Sequence, residues 1–167
     1  TLNINSGLVD NVVNGDNGWV ITINMDGGTL RTNGGTSSTG TGQLYSLGGG
    51  SSINAIGGTP SIEGRINIRE GNPGGFLPID VAAGVTLDIS AAITEQNGVW
   101  GLTKTGNGTL NLSGGNKVYS GSTTINGGTL ALIDATSNNN LTNSPNIIVG
   151  AGATLDVTGL DSPLANT

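Results

Sequence analysis

The chain has 167 residues, a length that suits one domain, and it carries a formal net charge of −6 with only five basic residues. Aromatic residues make up 3% and charged residues 10%, while 31 residues are glycine, so a core filled with large apolar side chains is disfavoured. The acidic balance argues against nucleic acid as a partner, and no apolar run approaches the roughly 20 residues needed for membrane insertion.

Apolar residues occur in short alternating runs between glycine and asparagine turns. This pattern predicts many short strands, whereas the same composition without alternation would indicate a disordered linker. Glycine interrupts every apolar stripe with helical spacing, and an interior glycine costs a helix about 1 kcal/mol relative to alanine. We therefore expect an all-β protein, with one helical turn near residues 136–143 as the exception.

Strand units that carry a leucine after a Gly/Thr turn recur along the chain. Leu87, Leu110, Leu130 and Leu155 follow one another at nearly regular intervals, and the stretch from Leu30 to Leu87 is long enough for two such periods. In chain order the units are residues 1–5, 20–32, 78–90, 102–113, 123–132 and 146–158, with 52–56 and 65–69 expected to supply the intervening rung. The positions that define the repeat are Gly28, Thr29, Leu30, Thr86, Leu87, Gly106, Gly108, Thr109, Leu110, Gly127, Gly128, Thr129, Leu130, Thr154 and Leu155.

A period of about 20–25 residues indicates a solenoid, in which each turn buries its apolar face only by stacking on its neighbours. The prediction is a single-stranded parallel β-helix (solenoid) with rungs of about 20–25 residues, forming one domain over residues 1–167. Leucine, isoleucine and valine would form a narrow inner column, threonine would face outward, and asparagine would stack in ladders at the turns. A β-sandwich is the alternative fold. Residues 33–52 are less regular and are predicted to form a loop, a place where binding functions are often found.

Residues with catalytic or metal-binding chemistry are sparse. Histidine and cysteine are absent, which excludes Ser-His-Asp and Cys-His catalysis and the usual zinc sites. A glycosidase needs carboxylates converging on one groove, and Asp80, Asp88 and Asp156 occupy comparable places in their units. Strand alternation instead predicts that they lie on a solvated outer face. The calcium-binding nonapeptide pattern is not matched either. From these observations together we predict no catalytic residue, no metal site and no cofactor.

Four aromatic side chains could stack on a sugar, but packing at corners and loops is the favoured role. These residues are Trp19, Tyr45, Trp100 and Tyr119.

The stretch LTKTGNGTL at 102–110, followed by Tyr119-Ser120-Gly121 and by GGTLAL at 127–132, resembles the autotransporter-associated β-strand repeat of bacterial passenger proteins. The resemblance implies a right-handed parallel β-helical stalk that is secreted or displayed on the bacterial cell surface. It implies a structural rather than an enzymatic role. The chain is then expected to be a fragment or repeat unit of a longer array.

The expected partners are adjoining repeats or further copies stacked end to end, because an open rung presents unpaired backbone groups. Adhesion to a surface polysaccharide or protein is a second expectation. The alternative function is a carbohydrate-active β-helix enzyme or a polysaccharide-binding module.

Overall fold

The computed structural model of the chain describes residues 1–11, 16–17, 22–32, 44–48, 50–69, 75–114, 116–134, 141–161 and 164. These residues form short strands, several of which are joined by turns of two to four residues. The strands are β1 (Leu2–Ile4), β2 (Leu8–Asn11), β3 (Asp16–Asn17), β4 (Thr22–Asp26), β5 (Thr29–Thr32), β6 (Leu44–Leu47), β7 (Ser52–Gly57), β8 (Ser61–Glu63), β9 (Arg65–Ile68), β10 (Phe76–Val81), β11 (Thr86–Ile89), β12 (Ala92–Glu95), β13 (Gly101–Thr105), β14 (Thr109–Ser113), β15 (Thr123–Ile125), β16 (Thr129–Asp134), β17 (Ile147–Val149) and β18 (Thr154–Leu160).

Every strand pairing between the described strands is parallel, and the strands group into three sheets. Sheet A has the order β1-β4-β7-β10-β13-β15-β17, and sheet B runs beside it in the order β2-β5-β8-β11-β14-β16-β18. Sheet C contains β3-β6-β9-β12. From β1 to β12 the chain visits sheet A, then B, then C, and returns to A one strand further along, so each circuit is one rung. From β13 onward the described strands alternate between sheets A and B. This arrangement confirms the predicted all-β parallel solenoid.

Rung length varies along the solenoid, as the register of the pairs shows. The rung that separates Leu30 from its partner Ile62 is longer than the rung that separates Leu110 from its partner Leu130. The expected intervening rung exists, because β7 contains the predicted segment 52–56 and β9 covers residues 65–68 of the predicted segment 65–69. Strands β2, β3, β6, β8 and β12 lie outside the predicted units, since they lack a Gly-Thr-Leu turn.

The predicted loop at residues 33–52 needs correction at its C-terminal end. Leu44–Leu47 is strand β6, which pairs with β9, and Ser52 already begins β7. Tyr45 and Leu47 are buried in the core, which explains why this short segment is held in a sheet. Residues 33–43 and 49 lie outside the described part of the chain, as does most of the predicted helical turn; residues 141–143 form a bend and a turn.

The core is a set of parallel columns that run along the solenoid. Leu87, Leu110 and Leu130 face one another in register and are fully buried, and Leu155 extends this column while only partly buried. A second column, on sheet A, has Ile23, Ile53, Ile79 and Ile125 at successive inward positions and Lys104 between the last two. A linear core of this kind needs few aromatic residues, which accounts for the composition.

Leu30 does not belong to the column of the later leucines. It faces Ile62, which in turn faces Ile89, two positions beyond Leu87. The turn from β10 to β11 spans residues 82–85, whereas the turn from β4 to β5 contains only residues 27–28. Because the connection after β10 is longer, Ile89 and not Leu87 occupies the position that corresponds to Leu30, so the leucines share a motif without sharing a column.

Candidate functional site

The corner between sheets A and B is where the repeat glycines lie. Gly28, Gly106 and Gly128 have φ values of 75°, 73° and 61°, which L side chains rarely adopt. A Cβ on Gly128 would overlap the carbonyl oxygen of Gly108 one rung below, and a Cβ on Gly108 would overlap that of Ala82. The glycines therefore allow successive corners to stack backbone on backbone.

The repeat threonines form a row on the outer face of sheet B. Thr86, Thr109, Thr129 and Thr154 face one another in register across four rungs, beside the buried leucine column. Thr29 lies outside this row because of the register shift of its rung, and its hydroxyl shares a hydrogen bond of 2.8 Å with the Ser61 hydroxyl. The signature residues thus have separate roles: glycine at the corner, threonine outside and leucine inside.

Lys104 occupies an inward position that is apolar in the rungs on either side. Its side chain is fully buried, and its Nζ donates hydrogen bonds to the carbonyl oxygens of Thr105, Gly106 and Gly127 at 2.7, 2.8 and 3.1 Å. Two of these carbonyls belong to the corner of its own rung and the third to the corner of the next. We call this arrangement the lysine clamp, because one ammonium group joins two stacked corners.

Burial lowers the pKa of Lys104, and the negative charge of Asp80 partly opposes that shift. An ammonium group offers three donors, and the three carbonyls accept all of them. This role of Lys104 was not predicted, although the sequence contains a signal for it: Lys104 lies two residues after the buried Leu102 in LTKT and so must share its inward face.

A second lysine follows the same principle at the edge of sheet C. Lys117 is fully buried, lies in register with Ile93, and donates a hydrogen bond of 2.7 Å to the carbonyl oxygen of Ser113. Both lysines of the chain therefore bind backbone carbonyls in the interior and leave the outer surface without a lysine.

Tyr119 forms a buried polar network with the next rung. Its hydroxyl shares a hydrogen bond of 2.8 Å with Thr123 Oγ1, which shares one of 3.0 Å with Ser144 Oγ. Ser144 Oγ also donates to the Gly121 carbonyl at 2.9 Å. This burial agrees with the packing role and leaves no ring face for a sugar. Half-buried Trp100 likewise packs against the core and donates from Nε1 to the Gln96 carbonyl, while Trp19 lies outside the described residues.

The burial of Tyr119 has a consequence for stability at high pH. Loss of solvent raises the pKa of its hydroxyl, and the hydrogen bond with Thr123 only partly offsets the shift. The unfolded chain loses this proton near pH 10 while the folded chain keeps it, so above pH 10 the free energy of unfolding should fall by about 1.4 kcal/mol per pH unit. Urea unfolding from neutral pH to about pH 11 should show this fall in wild type and a shallower one in Tyr119→Phe. Equal slopes would contradict the assignment.

An asparagine ladder runs along the outer face of sheet A. Asn24 Nδ2 donates to Asn3 Oδ1 and Asn54 Nδ2 donates to Asn24 Oδ1, each at 2.8 Å. In the same column, Asp80 follows Asn54, and Thr105 Oγ1 donates to Asp80 Oδ1 at 2.7 Å. The ladder was expected at turns, but it lies on strands, where in-register stacking sets the spacing between side chains.

The three carboxylates weighed for catalysis do not converge. Asp80 lies on sheet A, while Asp88 and Asp156 lie on sheet B in one column with Asn111 and Ala131 between them. Asp88 accepts a hydrogen bond of 2.6 Å from Asn111 Nδ2, and Asp156 binds Thr158. Among the residues that the structure describes, no group of three or more His, Cys, Asp or Glu side chains could hold a metal ion.

Within the described ranges, no helix is long and apolar enough to span a membrane. No curated protein and no solved structure matches the chain. Residues 102–132 do match a family model, and they comprise β14, β15 and most of β13 and β16, which belong to two consecutive rungs and include the lysine clamp. The matched family is the passenger-associated-transport-repeat, so this chain carries that repeat within a parallel β-solenoid.

Proposed function

We propose that this chain is a stretch of the rigid extracellular stalk of a secreted or surface-displayed bacterial protein. The passenger-associated-transport-repeat and the parallel solenoid fit a passenger-type structural scaffold. The observation that carries the proposal is that the matched rungs stack in register and are joined by the lysine clamp, whose bonds link two successive corners. A rod of stacked rungs can serve as a rigid spacer, and this role needs no active site.

Immunolabelling of the source bacterium tests the location. Antibodies raised against this chain should label intact cells, or detect the chain in the culture medium, before permeabilisation. An antibody against a cytosolic protein serves as the control for intact membranes. Labelling that appears only after permeabilisation would overturn the proposal.

The proposal includes contact with other molecules through the ends or faces of the rod. Adjoining repeats of the same protein or further copies of this chain would stack on the outermost rungs, because β1, β2, β17 and β18 are the edge strands of sheets A and B in the described part of the chain. Adhesion to a surface polysaccharide or protein would instead use the outer faces. Sedimentation across a concentration series should show head-to-tail oligomers, and a monomer at all concentrations would contradict self-assembly.

The proposed role involves no chemical step, and that the chain is not an enzyme remains a prediction. Incubation with mixed polysaccharides should yield neither reducing ends nor unsaturated products above a heat-denatured control. Turnover that is lost in Asp80→Asn or Asp88→Asn would establish the carbohydrate-active alternative.

A further inference from the structure

Six Asn-Gly pairs occur in the chain, and a pair of this kind can react with itself without an enzyme. The backbone nitrogen of the glycine attacks the side-chain carbonyl carbon, Cγ, of the asparagine, and glycine has no Cβ to hinder the approach. Both residues are described for the pairs that begin at Asn97, Asn107 and Asn126, and each of these asparagines is exposed. The three pairs differ in whether the fold lets the glycine nitrogen react.

The pair Asn107-Gly108 is blocked by a hydrogen bond. Gly108 is buried, and its N–H donates to the carbonyl oxygen of Val81, one rung below, at 2.9 Å. The glycine nitrogen must lose its proton before it can attack, so this bond has to break first. Breaking it leaves a buried carbonyl oxygen without its donor, which is costly.

The pair Asn97-Gly98 is blocked by its backbone conformation. Asn97 has a φ of 57°, which lies in the left-handed region. The ψ that accompanies this φ is about 47°, and it places the next nitrogen on the opposite side of the Cα–C bond from Cβ. The Gly98 nitrogen therefore cannot reach Cγ of Asn97 until the residue leaves the left-handed region.

The pair Asn126-Gly127 meets neither obstacle. Asn126 lies outside the left-handed region, and none of the described residues accepts a hydrogen bond from the Gly127 N–H. The neighbouring groups are fixed: the Asn126 N–H donates to the Lys104 carbonyl oxygen at 2.9 Å, and the Gly127 carbonyl accepts from Lys104 Nζ at 3.1 Å. The ammonium group of the lysine clamp thus lies close to Gly127, and a nearby positive charge favours loss of the amide proton.

We propose that Asn126-Gly127 is a self-modification site of the folded chain. The Gly127 nitrogen loses its proton and bonds to Asn126 Cγ, the Cγ–Nδ2 bond breaks, and Nδ2 leaves as ammonia with a proton. Water then opens the resulting five-membered ring at one of its two carbonyls. Opening at the side-chain carbonyl gives aspartate, and opening at the backbone carbonyl gives isoaspartate, in which the chain runs through Cγ.

The isoaspartate product acts on the lysine clamp. It lengthens the backbone by one carbon between Cα of residue 126 and the Gly127 nitrogen, and so displaces the Gly127 carbonyl from Lys104 Nζ. The aspartate product leaves the backbone unchanged and adds one negative charge at an exposed position. The modification therefore weakens the contact between two stacked corners in the fraction of molecules that contain isoaspartate.

Peptide mapping by mass spectrometry, after incubation of the full chain at mildly alkaline pH, tests the site. In the folded protein we expect amide loss to be about tenfold faster at Asn126 than at Asn97 or Asn107, a difference of about 1.4 kcal/mol in the reaction barrier. In urea the three rates should become similar, because unfolding removes the Gly108 hydrogen bond and the left-handed restraint of Asn97. Equal rates in the folded protein, or the same preference for Asn126 in urea, would show that the fold does not select this site.

Two variants and the separated products test the effect on the clamp. Asn126→Gln keeps the amide but has to close a six-membered ring, which forms far more slowly, so incubation should neither modify this position nor lower the urea midpoint. Asn126→Asp carries only the charge of the aspartate product and should unfold at the wild-type midpoint. In incubated wild type, the isoaspartate fraction should unfold at a lower urea concentration than the aspartate fraction. Equal midpoints for the two fractions would mean that the clamp does not depend on this corner.

Discussion

Replacing Gly128 with alanine is expected to lower the free energy of unfolding by about 3 kcal/mol. Two effects add: the left-handed backbone at φ 61° costs a non-glycine residue about 1–2 kcal/mol, and the overlap of the new Cβ with the Gly108 carbonyl forces the stacked corners apart at a cost of about 1–3 kcal/mol. The new methyl group would contact backbone atoms of the corner below, so no flexible side chain can move aside to relieve the overlap. Urea unfolding should show the loss as a lower midpoint at an unchanged m value.

Two further alanine variants separate strain from overlap at the same kind of corner. Gly84 has a φ of 78° but open space where a Cβ would lie, so Gly84→Ala should show only the backbone cost. Gly108 lies outside the left-handed region but is crowded by Ala82, so Gly108→Ala should show only the overlap. Each loss should be smaller than that of Gly128→Ala. Equal losses for Gly84 and Gly128 would contradict the backbone-on-backbone stacking of the corners.

Removal of the lysine clamp is the second large effect that we expect. Lys104→Met fills a similar volume with an apolar side chain but leaves the carbonyls of Thr105, Gly106 and Gly127 without their donor. Each hydrogen bond to a charged group contributes about 1.5–3 kcal/mol, and three such bonds are lost. Water at the half-buried corner can replace part of this total, so we expect the free energy of unfolding to fall by about 3 kcal/mol. Thermal and urea unfolding of the two proteins measure the difference.

One effect acts in the opposite direction, because methionine avoids the cost of burying an ammonium group. Replacing a buried charge with an apolar group is sometimes neutral or stabilising. A Lys104→Met variant as stable as wild type would therefore refute the clamp as a source of stability. Arg31→Met is the matched control: Arg31 forms an ion pair of 2.6 Å with Asp10 near the surface, and such pairs contribute little to stability. We expect its unfolding midpoint to fall much less than that of Lys104→Met.

The sequence pattern predicts those parts of the fold that rest on local chemistry. The Gly-Thr-Leu unit places glycine at the corner, threonine outside and leucine inside in rungs such as 109–112 and 129–132, because alternation along a strand fixes the direction of each side chain. Register is harder to predict: Leu30 and Leu87 share a motif but lie in different columns, since turn length rather than strand sequence sets their alignment.

Short strands and buried charges were the main features that sequence reasoning missed. Strand β8 has three residues between Pro60 and Gly64 and is recognised only through its neighbours β5 and β11. Sequence reasoning does not place Lys104 in the core, because lysine is almost never fully buried unless it is paired. Its three carbonyl partners come from two different rungs, so the compensation for its burial exists only after the solenoid has formed.

Residues 102–132 form two stacked parallel rungs, and the distance between these rungs can be measured directly. The chain has no cysteine, so nitroxide labels can be placed on cysteines introduced at Thr109 and Thr129, which face each other across adjacent strands about 4.8 Å apart. A second pair at Thr109 and Ser113 lies on one strand, about 13 Å apart. We expect strong spin-exchange broadening for Thr109 with Thr129 and only weak dipolar broadening for Thr109 with Ser113. A spectrum for Thr109 with Thr129 that is no broader than that of the second pair would contradict the stacked-rung structure.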